Sequence, residues 1–250
     1  MTERRLISAI EPSLVTEGAG VLLRRSFSPR ISNLYDPFLL FDHFAFNDPQ
    51  EDPHPGFPTH PHRGIETVTY ILSGSVRHRD SIGNVGTIGP GDVQWMTAGG
   101  GIMHEEMPRL DDKSFNKGFQ LWVNLPASRK MTSPQYQEIK AKAIHEIENK
   151  GIKVRLITGE FEGKIGPVSE IATEPIYMEV SLSPHSVFNL PTPSWHTCLA
   201  YLFEGGVTIL SDLVTSINML VFSEGEKVEI RAGAGGERRR ETFQKDRPAG

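Results

Sequence analysis

Two histidines separated by one residue open an apolar segment of this 250-residue chain. His60 and His62 stand in the stretch GFPTHPHRGIETVTYILSG, ahead of a run rich in Thr, Val, Tyr, Ile and Leu. Side chains at positions i and i+2 of a β-strand point to the same face of a sheet. At a rise of about 3.3 Å per residue, two such imidazoles are close enough to bind one metal ion.

A second pair with the same spacing stands further along the chain. His104 and Glu106 in GGGIMHEEMP share one strand face, and Glu105 points away from it. If a barrel joins the two strands, three imidazoles and one carboxylate meet in a cavity and leave two octahedral positions open. This donor set favours Fe(II), Mn or Ni over a closed structural zinc site. A surface pair of histidines and a solvated acidic turn remain the alternatives.

The elements that must position these pairs are predicted to be strands. Residues 57–126 consist of short apolar runs separated by glycine turns, which is typical of a β-sandwich or β-barrel. The glycines at 98–101 predict a tight loop before the strand of His104. Residues 127–150 are polar, and we interpret them as a connection with a short helical stretch. Strands resume after this connection, and most of residues 234–250 are expected to be irregular.

An internal repeat divides the chain. TVTYILSGSV at 67–76 matches CLAYLFEGGV at 198–207, so the two halves share a β architecture. At the same offset the first histidine pair falls on Pro191 and Pro193, and the second half therefore lacks imidazoles at the corresponding strand.

Composition argues against several classes of function. The net charge is −5, and the one dense basic run, at 238–240, has Glu on both sides, so we expect no direct nucleic acid binding. The single cysteine, Cys198, excludes an internal disulfide and a cysteine-rich zinc site. Without an apolar leader or a long apolar run, we expect no membrane association. We expect a soluble cytoplasmic protein, with a nuclear location also open if the source is eukaryotic.

The same segments resemble the pirin family of bicupins. FPTHPHRGIETVTYILSG is similar to the family's first cupin motif, and GPGDVQWMTAGGGIMHEEMP followed by FQLWVNLP is similar to its second. DPFLLFDHF and SPQYQEI also match stretches typical of the family. Carried over residue by residue, the resemblance implies His60, His62, His104 and Glu106 as metal ligands. A typical cupin takes its carboxylate from the first motif, where Glu66 is the nearest group and the main rival to Glu106.

The resemblance implies an all-β bicupin with two β-barrel or jelly-roll domains packed face to face. We expect an N-terminal, metal-binding cupin at 1–130 and a degenerate C-terminal cupin without ligands at 131–250. Because no apolar alternation survives in the polar tail from about 234, the second barrel is expected to lack a closing strand. The implied cofactor is one divalent ion, Fe(II) first, with Mn, Ni, Co, Cu and Zn as alternatives.

The family's activity implies a quercetin 2,3-dioxygenase that uses O₂ and a flavonol-like substrate. Glu106 would act as the general base, and Phe57, Trp95 and Met103 would wall the pocket. The alternative is a non-enzymatic, iron-dependent redox-sensing or transcription co-regulatory protein that binds an unspecified protein partner. Isolated histidines, among them His43, His54 and His78, are interpreted as surface or hydrogen-bonding side chains.

Overall fold

The computed structural model describes residues 1–29, 34–46, 55–109 and 115–234, with only the backbone for residues 45 and 46. Its regular elements are nearly all strands, as the sequence predicts. In chain order the strands are β1 (Leu6–Ile10), β2 (Ser13–Glu17), β3 (Val21–Phe27), β4 (Phe38–Phe46), β5 (Phe57–His62), β6 (Ile65–Ser73), β7 (Val76–Asp80), β8 (Val85–Ile88), β9 (Val93–Thr97), β10 (Ile102–Pro108), β11 (Asn116–Asn124), β12 (Gln135–Ile139), β13 (His145–Asn149), β14 (Ile152–Thr158), β15 (Glu160–Phe161), β16 (Lys164–Ile165), β17 (Tyr177–Leu182), β18 (Val187–Pro191), β19 (Leu199–Leu202), β20 (Gly206–Ile209), β21 (Asp212–Thr215), β22 (Asn218–Phe222) and β23 (Lys227–Ala232).

The chain forms two compact units. The larger unit is Pro12–Ser183, and the smaller combines Met1–Glu11 with the chain from Pro184 onward. These units divide the chain after Glu11 and after Ser183. The boundary predicted between residues 130 and 131 separates two cupin domains, which is a different kind of division, and it stays a prediction. No helix in the described part of the chain has the length and apolar content to span a membrane.

Two antiparallel sheets make up most of the larger unit. A seven-stranded sheet has the order β12-β9-β6-β11-β4-β3-β2, and a four-stranded sheet has the order β5-β10-β7-β8. Thr69 of β6 donates a hydrogen bond to Glu106 of β10, so the face of β6 that carries Thr69 is directed at the four-stranded sheet. Alternation places Glu66, Val68 and Tyr70 on the opposite face.

The space between these sheets is apolar at one end. A buried cluster there draws residues from both sheets, and its members are Val21, Leu23, Phe44, Ile71, Val76 and Ile88. Burying one such large aliphatic side chain contributes about 1.5–3 kcal/mol to folding. The cluster therefore fixes the separation of the two sheets and leaves the polar residues of β5 and β10 elsewhere between them.

The connection predicted at 127–150 contains strands as well as helical turns. Its helical stretches are single 3₁₀ turns at Ala127–Arg129 and Ala141–Ala143. β12 extends the edge of the seven-stranded sheet beside β9, and β13 pairs with β14. Polar edge strands of this kind lack the apolar alternation that identifies buried strands in a sequence.

The glycine loop before β10 forms as predicted, and it is hydrogen-bonded to the segments around Gly64 and Thr132. Gly99 accepts a backbone hydrogen bond from Gly64 at 2.7 Å, and Gly100 donates one to Thr132 at 2.9 Å. Gly99 has a φ of +50°, and a Cβ at this position would lie 2.1 Å from the Thr132 carbonyl oxygen. Only glycine therefore lets the loop approach the segment around Thr132 so closely.

The smaller unit also has two antiparallel sheets, ordered β1-β22-β19 and β18-β23-β20-β21. Arg4, at the chain start, is 1% exposed. Its guanidinium donates to the Thr192 hydroxyl at 2.8 Å and to the carbonyls of Ser223 and Pro193 at 2.8 and 2.6 Å. The predicted irregular tail and the missing closing strand fall on residues 235–250, which lie outside the described residues.

The internal repeat is visible in the backbone. Gly74 joins β6 to β7 with a φ of +75°, and Gly205 joins β19 to β20 with a φ of +81°. β18, which ends at Pro191, pairs with β23 as β5 pairs with β10. The two units thus share local conformations at matched positions, although β18 has no histidine where β5 has two.

We predict that Gly99→Ala destabilises the protein much more than Gly83→Ala. Both glycines have positive φ, at +50° and +98°, but a Cβ at Gly83 would meet nothing within 4 Å. Each substitution costs about 1–2 kcal/mol for its left-handed backbone, and only the one at Gly99 adds a collision with a carbonyl oxygen. Thermal and urea unfolding of the two variants measure the difference. Equal losses of stability would contradict this account of the loop.

Candidate metal centre

The pairing of β5 with β10 brings three histidines together. The antiparallel register sets His104 opposite His60 and Ile102 opposite His62. The ring centroids of His60, His62 and His104 are 4.4–4.9 Å apart, and one ring nitrogen of each lies within 4.8 Å of the others. Adjacent nitrogens on one ion, each about 2.1 Å from it, are about 3 Å apart. Small ring rotations would therefore bring the three nitrogens onto a single ion.

The hydrogen bonds of these rings fit a cation. His60 Nδ1 lies 2.8 Å from the Pro58 carbonyl oxygen, to which it can only donate, so in the neutral ring Nε2 carries the lone pair. That lone pair faces His62 Nε2 at 3.1 Å. His104 Nε2 is buried and has no hydrogen-bond partner among the described residues. An ion bound to the three imidazoles would satisfy all of these atoms.

The electrostatic environment keeps two of the rings neutral. Burial lowers the pKa of His62 to about 3, with a further contribution from the neighbouring His104 and His60. Burial likewise lowers the pKa of His104 to about 3, aided by His60 and His78. Neutral imidazoles offer their lone pairs to a metal, so the pocket favours the ligand form over the protonated form.

Glu106 lies further along β10 from the imidazoles. The pairing of β5 and β10 shifts register between His104 and Glu106, which re-aims the side chain that follows. The Glu106 side chain is buried, and its Oε1 accepts a hydrogen bond from the Thr69 hydroxyl at 2.8 Å. Thr69 Oγ1 is also 2.7 Å from the Gln120 amide. A hydroxyl has one proton, so both contacts form at once only if the Gln120 amide nitrogen faces Thr69.

Glu66, the rival carboxylate, points to the other face of β6. It accepts a hydrogen bond from the Thr97 hydroxyl at 2.8 Å, on the face opposite the one that carries Thr69. Burial raises its pKa, which the hydrogen bond from Thr97 partly offsets. Glu66 is therefore a buried structural carboxylate and is not brought to the imidazoles.

Of the three residues predicted to wall a substrate pocket, the structure brings Phe57 to the histidines. Its ring centroid lies 6.3 Å from that of His60. Trp95 is buried on the Glu66 face of the seven-stranded sheet, and Met103 is 42% exposed on the face of β10 opposite His104. Neighbours of a ligand in sequence alternate between faces, so proximity along the chain did not place Trp95 and Met103 at the site.

Sequence reasoning missed two residues beside the three imidazoles. Trp122 of β11 lies with its ring 5.0 Å from that of His62. His78 of β7 is fully buried, and its ring is 5.3 Å from that of His104. The signal for His78 was present, because His78 and Asp80 repeat the i, i+2 spacing of the two pairs. Arg77 and Arg79 beside them suggested a solvated strand.

His43 does not belong to the pocket, and His54 lies outside the described residues. His43 is buried on β4 with its ring 5.0 Å from that of Phe119. Phe119 and Thr69 lie on opposite faces of the seven-stranded sheet, because Gln120, next to Phe119, contacts Thr69. Burial lowers the pKa of His43 to about 3, with smaller contributions from Arg24 and Lys117.

Comparison with known proteins gives consistent matches. A family profile described as Pirin matches residues 20–123. A pirin-like protein of Caulobacter vibrioides is 40% identical over 234 residues, which cover 93% of this chain and 84% of that protein. A solved quercetin 2,3-dioxygenase from Acinetobacter baumannii superposes with a TM-score of 0.83 and 33% identity, covering 92% of this chain and 83% of that one.

A second solved structure extends the likeness at the level of the fold. The nickel(II) complex of a bacterial pirin from Escherichia coli has a TM-score of 0.68 at 21% identity, with coverage of 94% of this chain and 95% of that one. Together these matches confirm the expectation of an all-β cupin fold.

We predict that His43→Phe flattens the acid dependence of stability. The folded pKa of His43, about 3, lies below its ordinary value of 6.5. The unfolded chain therefore takes up a proton that the folded chain excludes, so stability is complete above pH 6.5 and falls as the pH decreases towards 3. Such a group contributes a slope of about 1.4 kcal/mol per pH unit.

Urea unfolding of the metal-free protein at pH 4.5 and 6.5 measures this slope. Between these values we expect wild type to lose about 2–3 kcal/mol more than the phenylalanine variant. His62 and His104 contribute equally to the pH dependence of stability in wild type and in the variant, so their contributions cancel in the comparison. Parallel losses of stability would show that His43 titrates normally.

Proposed function

Since this chain belongs to the pirin family, we propose that it is a mononuclear metal cupin that oxygenates flavonol-like substrates in the manner of a quercetin 2,3-dioxygenase. The observation that carries the proposal is the convergence of three buried or half-buried imidazole nitrogens within 4.8 Å. The quercetin 2,3-dioxygenase from Acinetobacter baumannii, similar over most of both chains, supports the substrate class.

The proposed ligands are His60, His62, His104 and Glu106. Three neutral nitrogens and one carboxylate oxygen suit a first-row ion with open positions for other molecules. We propose Fe(II) as the physiological ion, with Mn, Ni, Co, Cu and Zn as ions that the same donors would accept. When bound, the ion would supply Lewis acidity that lowers the pKa of a coordinated substrate hydroxyl.

We propose that Glu106 accepts the proton of that hydroxyl. A general base must lie within hydrogen-bond reach of the proton it removes, and Glu106 is the buried carboxylate nearest to the histidines along β10. The hydrogen bond from Thr69 to Oε1 fixes the orientation of the carboxylate. Phe57 and Trp122, beside His60 and His62, offer flat apolar surfaces for an aromatic substrate and exclude water from the reacting oxygens.

Metal analysis of His104→Ala tests the centre itself. We expect the purified variant to lose its bound metal, because one of the three imidazole ligands is removed. His145→Ala is the matched control, since His145 is an exposed histidine on β13. Equal metal content in both variants would contradict the proposed ligand set.

Oxygen uptake with quercetin tests the activity. We expect uptake by the metal-loaded protein, and a decrease in kcat of about 10²–10⁴-fold in Glu106→Gln, because the amide cannot accept the proton. Metal binding without uptake in the presence of Fe, Mn, Ni, Co or Cu would remove this substrate class. It would favour instead a redox-sensing protein that binds a partner.

A further inference from the structure

We propose that His78 and Asp80 position His104 by fixing its tautomer. The Asp80 carboxylate would orient the proton of His78, and His78 would orient the proton of His104, so the carboxylate acts on the metal ligand through two imidazoles. This inference rests on the proposed metal centre, because it concerns one of the ligands. Metal-binding histidines usually donate their second ring N–H to a carboxylate, a carbonyl or water, which fixes the tautomer and raises the basicity of the ligand nitrogen. His60 does so through the Pro58 carbonyl.

The series begins at Asp80, whose carboxylate is surrounded by donors. Its Oδ1 accepts the backbone N–H groups of Ile82 at 3.0 Å and of Asn84 at 2.9 Å. Its Oδ2 accepts the side-chain amide of Asn84 at 2.8 Å and lies 3.1 Å from His78 Nε2. An ionised carboxylate can only accept hydrogen bonds. A His78 ring with one proton therefore carries that proton on Nε2.

A ring protonated at Nε2 accepts hydrogen bonds at Nδ1. The Gln94 amide nitrogen lies 2.6 Å from His78 Nδ1, and His104 Nδ1 lies 3.5 Å from it. The Gln94 amide nitrogen can donate to this lone pair. A proton on His104 Nδ1 would also be directed at it, whereas a lone pair on His104 Nδ1 would face it, so the arrangement favours the His104 proton on Nδ1. His104 Nε2 then carries a lone pair, and it is the buried nitrogen that lacks a partner among the described residues.

The strand register and the packing hold these groups in place. β7 and β10 are antiparallel neighbours, and Asp80 is the partner of His104 in the register. The His78 ring is fully buried, with the Tyr136 ring stacked on it at 4.7 Å and an interplanar angle of 22°. A contact of 3.5 Å is long for a hydrogen bond, but in a buried site it is short enough for one dipole to orient the next.

The tautomers of the metal-free protein test the proposal directly. Two-bond ¹H–¹⁵N spectra of the full chain labelled with ¹⁵N-histidine report which ring nitrogen carries the proton. Signals are assigned by their loss in His78→Gln and His104→Gln. We expect the proton of His78 on Nε2 and that of His104 on Nδ1. A proton on His78 Nδ1, on both His78 nitrogens, or on His104 Nε2 would overturn the proposal.

Asp80→Asn tests the influence of the carboxylate. The asparagine oxygen can still accept the two backbone amides, but its amide nitrogen then faces His78 Nε2. We expect the His78 proton to move to Nδ1 and the His104 proton to move to Nε2, the atom proposed to bind the ion. Affinity for Zn(II), a diamagnetic ion measured by chelator competition, should fall by about 10–100-fold.

Asp92→Asn is the matched control. Asp92 also caps a turn, accepting the backbone N–H groups of Gly89 at 3.0 Å and Ala141 at 2.7 Å, but its other partner is Lys140 rather than a histidine. We expect this variant to keep the wild-type tautomers and Zn(II) affinity. Unchanged tautomers and affinity in Asp80→Asn, or equal losses in both variants, would contradict a positioning role.

The two proposals fail in different ways. If wild type binds none of the candidate ions, the metal centre is refuted, although the tautomers can still be those expected. If wild type binds Zn(II) but His104 is protonated on Nε2 in the metal-free state, the metal centre stands and the positioning role of His78 and Asp80 is refuted. The tautomer measurement on wild type needs no variant, so it remains decisive even if a substitution prevents folding.

Discussion

The antiparallel pairing of β5 with β10 is the interaction on which the candidate centre depends. Its register sets His60 opposite His104 and keeps His62 on the same face two residues further along. Side chains alternate between the two faces of a sheet, so a slip of one residue in either strand would move its imidazoles to the opposite face. The apolar cluster between the sheets and the glycine loop at Gly99 both resist such a slip, because each fixes the strands relative to the seven-stranded sheet.

The imidazole cluster lowers the stability of the fold when no ion is bound and raises it when an ion is bound. Leaving a buried polar atom such as His104 Nε2 without a partner costs about 1–3 kcal/mol. The strand pairs and the apolar cluster supply the stability that offsets this cost. A bound ion would recover it, so metal affinity and folding stability are expected to rise together.

The parts of the fold and centre that depend on local periodicity could be predicted from the sequence. The i, i+2 spacing identified His60, His62 and His104, and the alternation of β6 identified a buried strand. Trp95 and Met103 were placed at the site by their closeness in sequence, but the same alternation turns them to other faces. His78 was missed because it stands between two arginines, and its burial follows from sheet pairing rather than from its neighbours.

Polar edge strands and long-range pairing were beyond local reasoning. β12 lacks an apolar stripe and is recognisable as a strand only beside β9. The pairing of β1 with β22 joins segments that are more than two hundred residues apart, and no local pattern records that choice.

The membership of β1 in the smaller unit has a consequence for the order of events during synthesis. The segment with Arg4 and β1 is made before the strands of the larger unit, but its partners β22, Thr192 and Ser223 are made after them. The larger unit, with its histidines, has all of its strands available before then. The segment with β1 must therefore remain without its partners while the strands that carry the imidazoles can already pair, so the smaller unit is completed after the larger one.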